Sequence, residues 1–374
     1  MSGLYTFLMG NVVTFVLVLS LLVFVHEMGH YLVGRWSGIR ILAFSVGFGP
    51  EIFGFTDRHG TRWKISAIPL GGYVRFFGDE DASSKPDNDQ VAAMSEEDRA
   101  RSFAGAKLWK RASTVAAGPI ANFLLAIAIF AVLFSVYGRM IADPVVAEVA
   151  PDGAAAAAGI LPGDLLVAID GNKVETFDDV RRYVAIRPSQ KIIVTVERGG
   201  QKLEVPMVPQ RTDRTDQFGN KIELGQIGII TNKEAGNFRL RTYTPLEAVR
   251  EGVIESAGIV TGTFKYIANI FAGSMRADQL GGPIRVAQAS GQMASLGIGA
   301  VLQLAATLSV SIGLLNLMPV PVLDGGHLMF YAVEAVRGRP LGSKAQEIAF
   351  RIGLAMILTL MVFTTWNDIS VSSG

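Results

Sequence analysis

The 374-residue sequence contains no cysteine, which excludes disulfide bonds and thiolate metal ligands together. Charge is scarce: Asp, Glu, Lys and Arg make up 18% of the chain, less than a water-soluble domain of this length normally carries. With a net charge of +1 there is no basic surplus, and no nucleic-acid partner is expected. Histidine is rare, at four residues. No Lys or Arg precedes Arg35, so the apolar N-terminal stretch lacks the basic start of a secretory signal. No small-residue cleavage site follows it either, and it is expected to be a retained span.

What the chain has instead is apolar residues, 50% of the total, gathered into a few long runs. Tyr5–Val25 and Val115–Tyr137 are each long enough, at helical rise, to cross a hydrocarbon core of about 30 Å. Gly297–Val322 is uncharged but studded with Gly, Ser, Asn and Pro. Ile352–Trp366 is short and needs the preceding turn, with Glu347 and Arg351 reaching to one interface and Trp366 anchoring the other. Arg35, Arg40, Lys107, Lys110 and Arg111 flank the loop between the first two runs, and Arg337, Arg339 and Lys344 fill the connection between the last two. The positive-inside rule makes both connections cytoplasmic and sends both termini and the 138–296 segment outside. Arg139 alone argues the other way.

At the end of the first run stands His26-Glu27-Met28-Gly29-His30, an H-E-x-x-H pattern. Residues four apart stack on one helix face, so both imidazoles can hold a single zinc ion. Glu27 lies beside that point, where a carboxylate can take a proton from activated water. Five-residue patterns recur by chance, but ionisable groups directly after an apolar run are costly and usually functional. Zinc needs a third protein ligand if one position is to stay open. His59, among Asp57, Arg58 and Gly60, reads as part of a solvated turn. Asp324 is the better candidate: a carboxylate in an apolar segment whose Pro319, Pro321, Gly325 and Gly326 prevent a regular helix. The bland alternative is a helix-terminating turn. His327 is assigned a supporting or structural place, although Asp324 alone does not exclude it as a ligand.

The two motifs together resemble the site-2 protease family of intramembrane zinc metalloproteases. The likeness runs through Pro69-Leu-Gly-Gly-Tyr73-Val, Gly118-Pro119-Ile-Ala-Asn122, Gly281-Gly-Pro-Ile284 and a PDZ-like segment, and so covers nearly the whole chain. It is closest to the bacterial RseP type, in a form with room for one PDZ domain rather than two. The resemblance implies His26, His30 and Asp324 as zinc ligands, Glu27 as general base, and Asn316, Pro319 and Pro321 around the substrate helix. It also implies a multi-pass protein of the bacterial inner membrane, both termini periplasmic and the active site towards the cytoplasmic side.

The expected fold class is a polytopic α-helical membrane protein with four transmembrane helices, an extramembrane β-rich PDZ-like domain and a small membrane-associated β-hairpin. The expected parts are helix 1 with its motif over 1–36, a cytoplasmic loop with the hairpin over 37–114, and helix 2 over 115–138. A PDZ-like domain over 143–209, a segment with an amphipathic helix over 210–296, helix 3 over 297–330 and helix 4 over 345–367 complete the chain. Alternating and apolar runs at 145–149, 165–169 and 191–196 supply strands for the PDZ-like domain, which either docks an extended peptide or acts as a rigid gate. Arg62–Phe77 reads as two strands around a Pro-Gly-Gly break. Gly71 and Gly72 lie at this break, and an exposed edge there can hold an unwound substrate; a small sheet without substrate contact is the alternative. Asp79–Arg101 reads as a solvated loop. Apolar or small residues at 246, 249, 253, 257, 260, 264, 267 and 271 make a helical stripe suited to the membrane surface or the outer protein face. Gly118 and Asn122 are read as packing residues.

The expected activity is cleavage of transmembrane segments of single-pass membrane proteins already shortened by another protease, such as anti-sigma factors or signal-peptide remnants. Partners are those substrates, the lipid bilayer and a possible peptide ligand of the PDZ-like domain; the cofactor is Zn2+. The rivals are a non-enzymatic membrane scaffold built on the PDZ-like domain and a transporter using buried His and Asp as a proton relay. The scaffold leaves both motifs unexplained, and a transporter lacks its inverted repeats here.

Overall fold

A computed structural model describes residues 7–79, 93–215, 221–230, 238–273, 275 and 281–372. In chain order, helix α1 (Val13–Trp36) follows a π-helical turn at Phe7–Val12 and leads into strands β1 (Ile41–Thr56) and β2 (Arg62–Phe76) and helix α2 (Leu108–Val136). A β-rich stretch holds β3 (Arg139–Ala142), β4 (Glu148–Val149), β5 (Leu165–Ile169), β6 (Asn172–Lys173), helix α3 (Phe177–Ala185), β7 (Ile192–Arg198) and β8 (Gln201–Met207). It continues through β9 (Gln210–Thr215), β10 (Lys221–Gln226), β11 (Ile229–Ile230) and β12 (Phe238–Arg241). Helices α4 (Pro245–Phe271), α5 (Pro283–Ser295), α6 (Ile298–Leu317), α7 (Asp324–Arg337) and α8 (Ser343–Ser372) complete it. The chain divides into a helical unit, Met1–Phe130 with Gly282–Trp366, and a β-rich unit, Ala131–Gly281 with Asn367–Gly374.

Among the described residues, four helices are long and apolar enough to cross a membrane: Gly10–Trp36, Leu108–Val136, Ile298–Leu317 and Lys344–Ser370. They coincide with the four apolar runs, but their limits differ in instructive ways. The first helix continues through the H-E-x-x-H motif and ends only at Trp36, where Ser37 and Gly38 (φ 81°) close its last turn. The third stops at Leu317, five residues before the apolar run does, because Met318 turns extended ahead of Pro319. The fourth includes the preceding turn that Ile352–Trp366 needs and runs as a 30-residue helix, Ser343–Ser372.

In lipid, packing relies on close contact of small residues rather than on exclusion of water. Gly29 of α1 lies so close to α2 that an added Cβ would collide with the Ala117 carbonyl, and a Cβ on Gly313 of α6 would stand in tight contact, 3.1 Å from the Pro119 carbonyl oxygen and 3.3 Å from Asn122 Cβ. Val18, Leu22 and Ala305 are buried where α1 and α6 meet, with Leu125 and Ile129 of α2 against them. At the other end of α1, Tyr31, Phe44, Val74, Phe76 and Val115 form a second apolar cluster, which seats the sheet on the helix ends.

That sheet is larger than a hairpin over 62–77. Strand β1, not foreseen from sequence, supplies half of it: Ile41–Val46 pairs with Gly72–Phe76 on one side and contacts Arg62–Ile65 on the other, while Glu51–Thr56 folds back on Arg62–Ser66. The segment Gly72–Phe76 is therefore an edge. Of the loop assigned to Asp79–Arg101, residues 80–92 lie outside the described residues, and Glu96–Arg101 is a short helix capped by Ser95.

The β-rich unit is built on an antiparallel sheet in the order β6-β5-β7-β8, with α3 entered through a Thr176/Asp179 capping box. Leu166, Ile169, Val180, Val194 and Val196 form its core, and the cluster also takes in Ile227. The unit therefore extends beyond Pro209: β11 pairs with β4, so residues 227–230 close the fold that the strand pattern ended at 209. Helix α4 follows the anticipated stripe, but it turns Ala248, Gly252 and Ser256 inward and leaves Leu246, Val249, Val253, Phe264 and Phe271 exposed. Glu255, bonded by both Arg139 and Arg182, holds it in place.

Candidate metal centre

Helix α1 presents His26, Glu27 and His30 in its C-terminal half, and all three are buried. Asp324 arrives from a different direction. After α6 stops, the connector 318–323 folds back on itself through bonds from Val322 and Leu323 to the Val320 carbonyl. Gly325 and Gly326 sit so close to this connector that a Cβ on either would strike its carbonyls. Asp324 is thus held in the first turn of α7, where a helix N-terminus favours negative charge.

Three electron-pair donors converge. His26 Nε2 and His30 Nε2 are 3.2 Å apart, and Asp324 Oδ2 lies 3.1 Å from the first and 3.5 Å from the second. Ligands at about 2.0–2.1 Å from a tetrahedral zinc ion stand about 3.3 Å from one another, so these separations fit zinc. Asp324 Oδ2 is buried without an acceptable hydrogen bond, as an oxygen reserved for a metal would be. These three residues form the group that could hold a metal ion among the described residues.

The surroundings orient the imidazoles. The main-chain oxygen of Thr114 accepts from His30 Nδ1 at 2.9 Å, which leaves the lone pair on Nε2. The side-chain amide of Asn122 lies 3.1 Å from His26 Nδ1. Gly118, between them on α2, is a necessity of space, because a methyl there would run into both imidazole rings. Arg111, at the start of α2, bonds Glu334 of α7 at 2.5 Å and stacks over Tyr331, tying the helix of Thr114 to the helix of Asp324.

Of the remaining residues singled out from sequence, Gly72 is brought to the site: a Cβ there would lie 2.8 Å from Val23 and 3.2 Å from Glu27 Cγ. Gly71 adopts φ 93° and packs on Phe48. Asn316 is half-buried near the end of α6, Pro319 is exposed and Pro321 half-buried in the connector. His327 is half-buried edge-on to Phe330 and is not in the donor cluster. His59 lies in the turn between β1 and β2, its main-chain N–H donating to Asp57 Oδ1. Sequence reasoning missed Thr114, whose main-chain oxygen leaves no mark in sequence, and took Gly118 and Asn122 for packing residues. An amide inside an apolar span was the signal available, since it is costly there without a partner.

The family model described as peptidase family M50 matches residues 14–360. A protein of Agrobacterium fabrum that carries the name of a zinc metalloprotease is 72% identical over 368 residues, covering 98% of both chains. Metalloprotease MmpA of Caulobacter vibrioides is 38% identical over 380 residues, covering 96% of this chain and 95% of its own. Among solved structures, the PDZ domain of an SdrC-like protein from Listeria innocua matches 24% of this chain and 91% of its own, at 24% identity and a TM-score of 0.19.

Proposed function

The chain belongs to peptidase family M50 and is a multi-pass membrane zinc metalloprotease, and from that premise we propose that it cuts transmembrane segments of single-pass proteins already trimmed by another protease. Family membership disposes of the inactive scaffold and the transporter. The observation that carries the reading is the donor triangle of His26, His30 and Asp324, with separations of 3.1–3.5 Å and Glu27 beside it. These three residues would hold the zinc. Bound zinc supplies electrophilic activation of the scissile carbonyl and makes water acidic. The Glu27 carboxylate takes the proton from the attacking water and passes it to the leaving nitrogen. Asn316, Pro319 and Pro321 lie along the substrate, and the Gly72–Phe76 edge, next to Glu27, receives the unwound segment as an added strand.

The basic residues around the 37–114 loop and in the 331–344 connection support a cytoplasmic placement of both. Both termini and the β-rich unit are then periplasmic, in the inner membrane of a bacterium. The β-rich unit, PDZ-like over 143–209 and completed by 227–230, meets the substrate's outer part as a gate or as a peptide-docking strand. Anti-sigma factors and signal-peptide remnants fit the required substrate, a short-tailed single span.

Glu27→Gln is the direct test. Gln keeps the shape and cannot accept the proton, so zinc content stays at one per chain while cleavage falls by about 10²–10⁴-fold. Substantial cleavage by the Gln variant would remove Glu27 as the base.

A further inference from the structure

Asn122 is fully buried on α2, yet its Oδ1 has no hydrogen-bond partner, while Nδ2 faces His26 Nδ1 at 3.1 Å. A buried acceptor left without a partner keeps its full desolvation cost. A neutral imidazole carries one proton. When Nε2 gives its lone pair to zinc, that proton sits on Nδ1, and Nδ1–H needs an acceptor. His30 has one in the Thr114 carbonyl. The amide nitrogen of Asn122 offers only hydrogens and cannot serve His26. Turning the carboxamide by half a rotation about χ2 exchanges Oδ1 and Nδ2 with almost no change of shape.

We propose that Asn122 is a positioning residue for the metal: its side-chain oxygen accepts the Nδ1 proton of His26 and fixes the tautomer whose Nε2 faces the zinc. This rests on the reading of His26 as a ligand. The surroundings hold Asn122 where the role requires. Ser309 Oγ of α6 donates to the Asn122 main-chain oxygen at 2.8 Å, and Gly313 lets α6 close upon the same turn of α2. Thr114, Gly118 and Asn122 follow at four-residue intervals along α2, as His26 and His30 do along α1. One side of α2 is thus a template with an acceptor for one imidazole, space for both rings, and an acceptor for the other.

The test compares the purified full-length chain with its N122D, N122L and H26A variants, using zinc affinity by chelator competition and thermal unfolding to confirm folding. Asp has the shape of Asn and only acceptor atoms; Leu has the shape and no hydrogen bond. N122D is expected within about threefold of the wild type or tighter, and N122L about 10–100-fold weaker, as for loss of an outer-shell partner. Co2+-loaded N122D should keep the visible absorption of the Co2+-loaded wild type. An N122D that loses zinc as severely as N122L would overturn the proposal, because the oxygen would then not be the contact. Wild-type affinity in N122L would overturn it too and make the amide a packing group. Wild-type affinity in H26A would instead bring down the ligand reading, and this proposal with it. If the added charge of N122D prevents folding, N122T, whose hydroxyl also accepts, takes its place: affinity better than that of N122L supports the proposal, and affinity no better overturns it.

Discussion

Around the donor cluster the buried residues His26, His30, Asn122 and Ser309 bond to one another or to main-chain oxygens, and the helical unit's arginine pair, Arg111 with Glu334, is not part of that cluster. In the β-rich unit the buried carboxylates Asp164 and Glu223 are each paired with an arginine, Arg198 and Arg211, at the margin of an otherwise aliphatic core. A carboxylate with its own arginine is neutralised and has finished its work, which is holding the fold. Among the described residues, the groups that meet Asp324 Oδ2 are two imidazole nitrogens, whose electron pairs compete for the same space. The contrast separates polar burial for stability from polar burial for metal chemistry. Substitutions in the two units should therefore have unlike consequences.

The largest effect is expected from Asp324→Asn. A neutral amide is a poorer zinc ligand than a carboxylate. Zinc affinity should fall by at least the roughly 10–100-fold that losing an outer-shell partner costs, and proteolysis with it. Thermal unfolding of the β-rich unit should not change. Full zinc occupancy and activity would move the third ligand elsewhere, with the half-buried His327 next in line.

The mirror experiment is Leu166→Ala. Leu166 is completely buried in the β-rich core, and its truncation should cost that unit about 2–5 kcal/mol. Hydrogen exchange across residues 165–207 should accelerate while zinc content stays at that of the wild type. A loss of zinc in this variant would show that the two units are not separable in the way their polar chemistry suggests.

Gly118→Ala is smaller in chemistry and sharper in meaning. The added methyl meets the rings of both histidines, and an overpacked site of this kind costs about 1–3 kcal/mol. Zinc affinity should drop by about tenfold, with the helical content retained. Unchanged affinity would mean that α2 can back away from α1, and the template role of that face would fail.

How much of this was legible in the sequence depended on whether a residue's role lies in its own side chain. His26, Glu27, His30 and Asp324 announce themselves because ionisable groups beside apolar runs need a reason. The four spans were legible as composition, but the end of the third was set by a local event that composition does not show, the break before Pro319. Strand β1 was missed because Ile41–Thr56 has three glycines among its apolar residues and no clean alternation. Thr114 was invisible, since its part is played by a main-chain oxygen. Asn122 was visible as an amide within a span and was read as packing, since its place 3.1 Å from His26 Nδ1 depends on the fold. The limit of the β-rich unit at 209 followed the strand pattern, whereas closure through Ile227 and β11 depends on a long-range pairing with β4.

The smallest effect concerns the arginine pairing itself. Arg198 bonds Asp164 through two nitrogens, at 2.7 Å each, and holds its carboxyl below the usual carboxylate range, helped by the Leu161 main-chain N–H. A carboxyl whose folded value is depressed stabilises the fold above the unfolded value of about 3.9, and that contribution is lost as pH falls through the folded value. Protection of the β5 and β7 amides should therefore be level from neutral pH down to about 5, and decline only in acid below about 4. Arg198→Ala removes the group that chiefly depresses this carboxyl, so its folded value moves back toward the unfolded one; protection at neutral pH should be lower than in the wild type and the decline in acid shallower. Hydrogen exchange of the 165–198 region measured across pH in both proteins reads this directly. Superimposable profiles would mean that the pair is a surface contact of no consequence, and the contrast with Asp324 would have to rest on Glu223 and Arg211 alone.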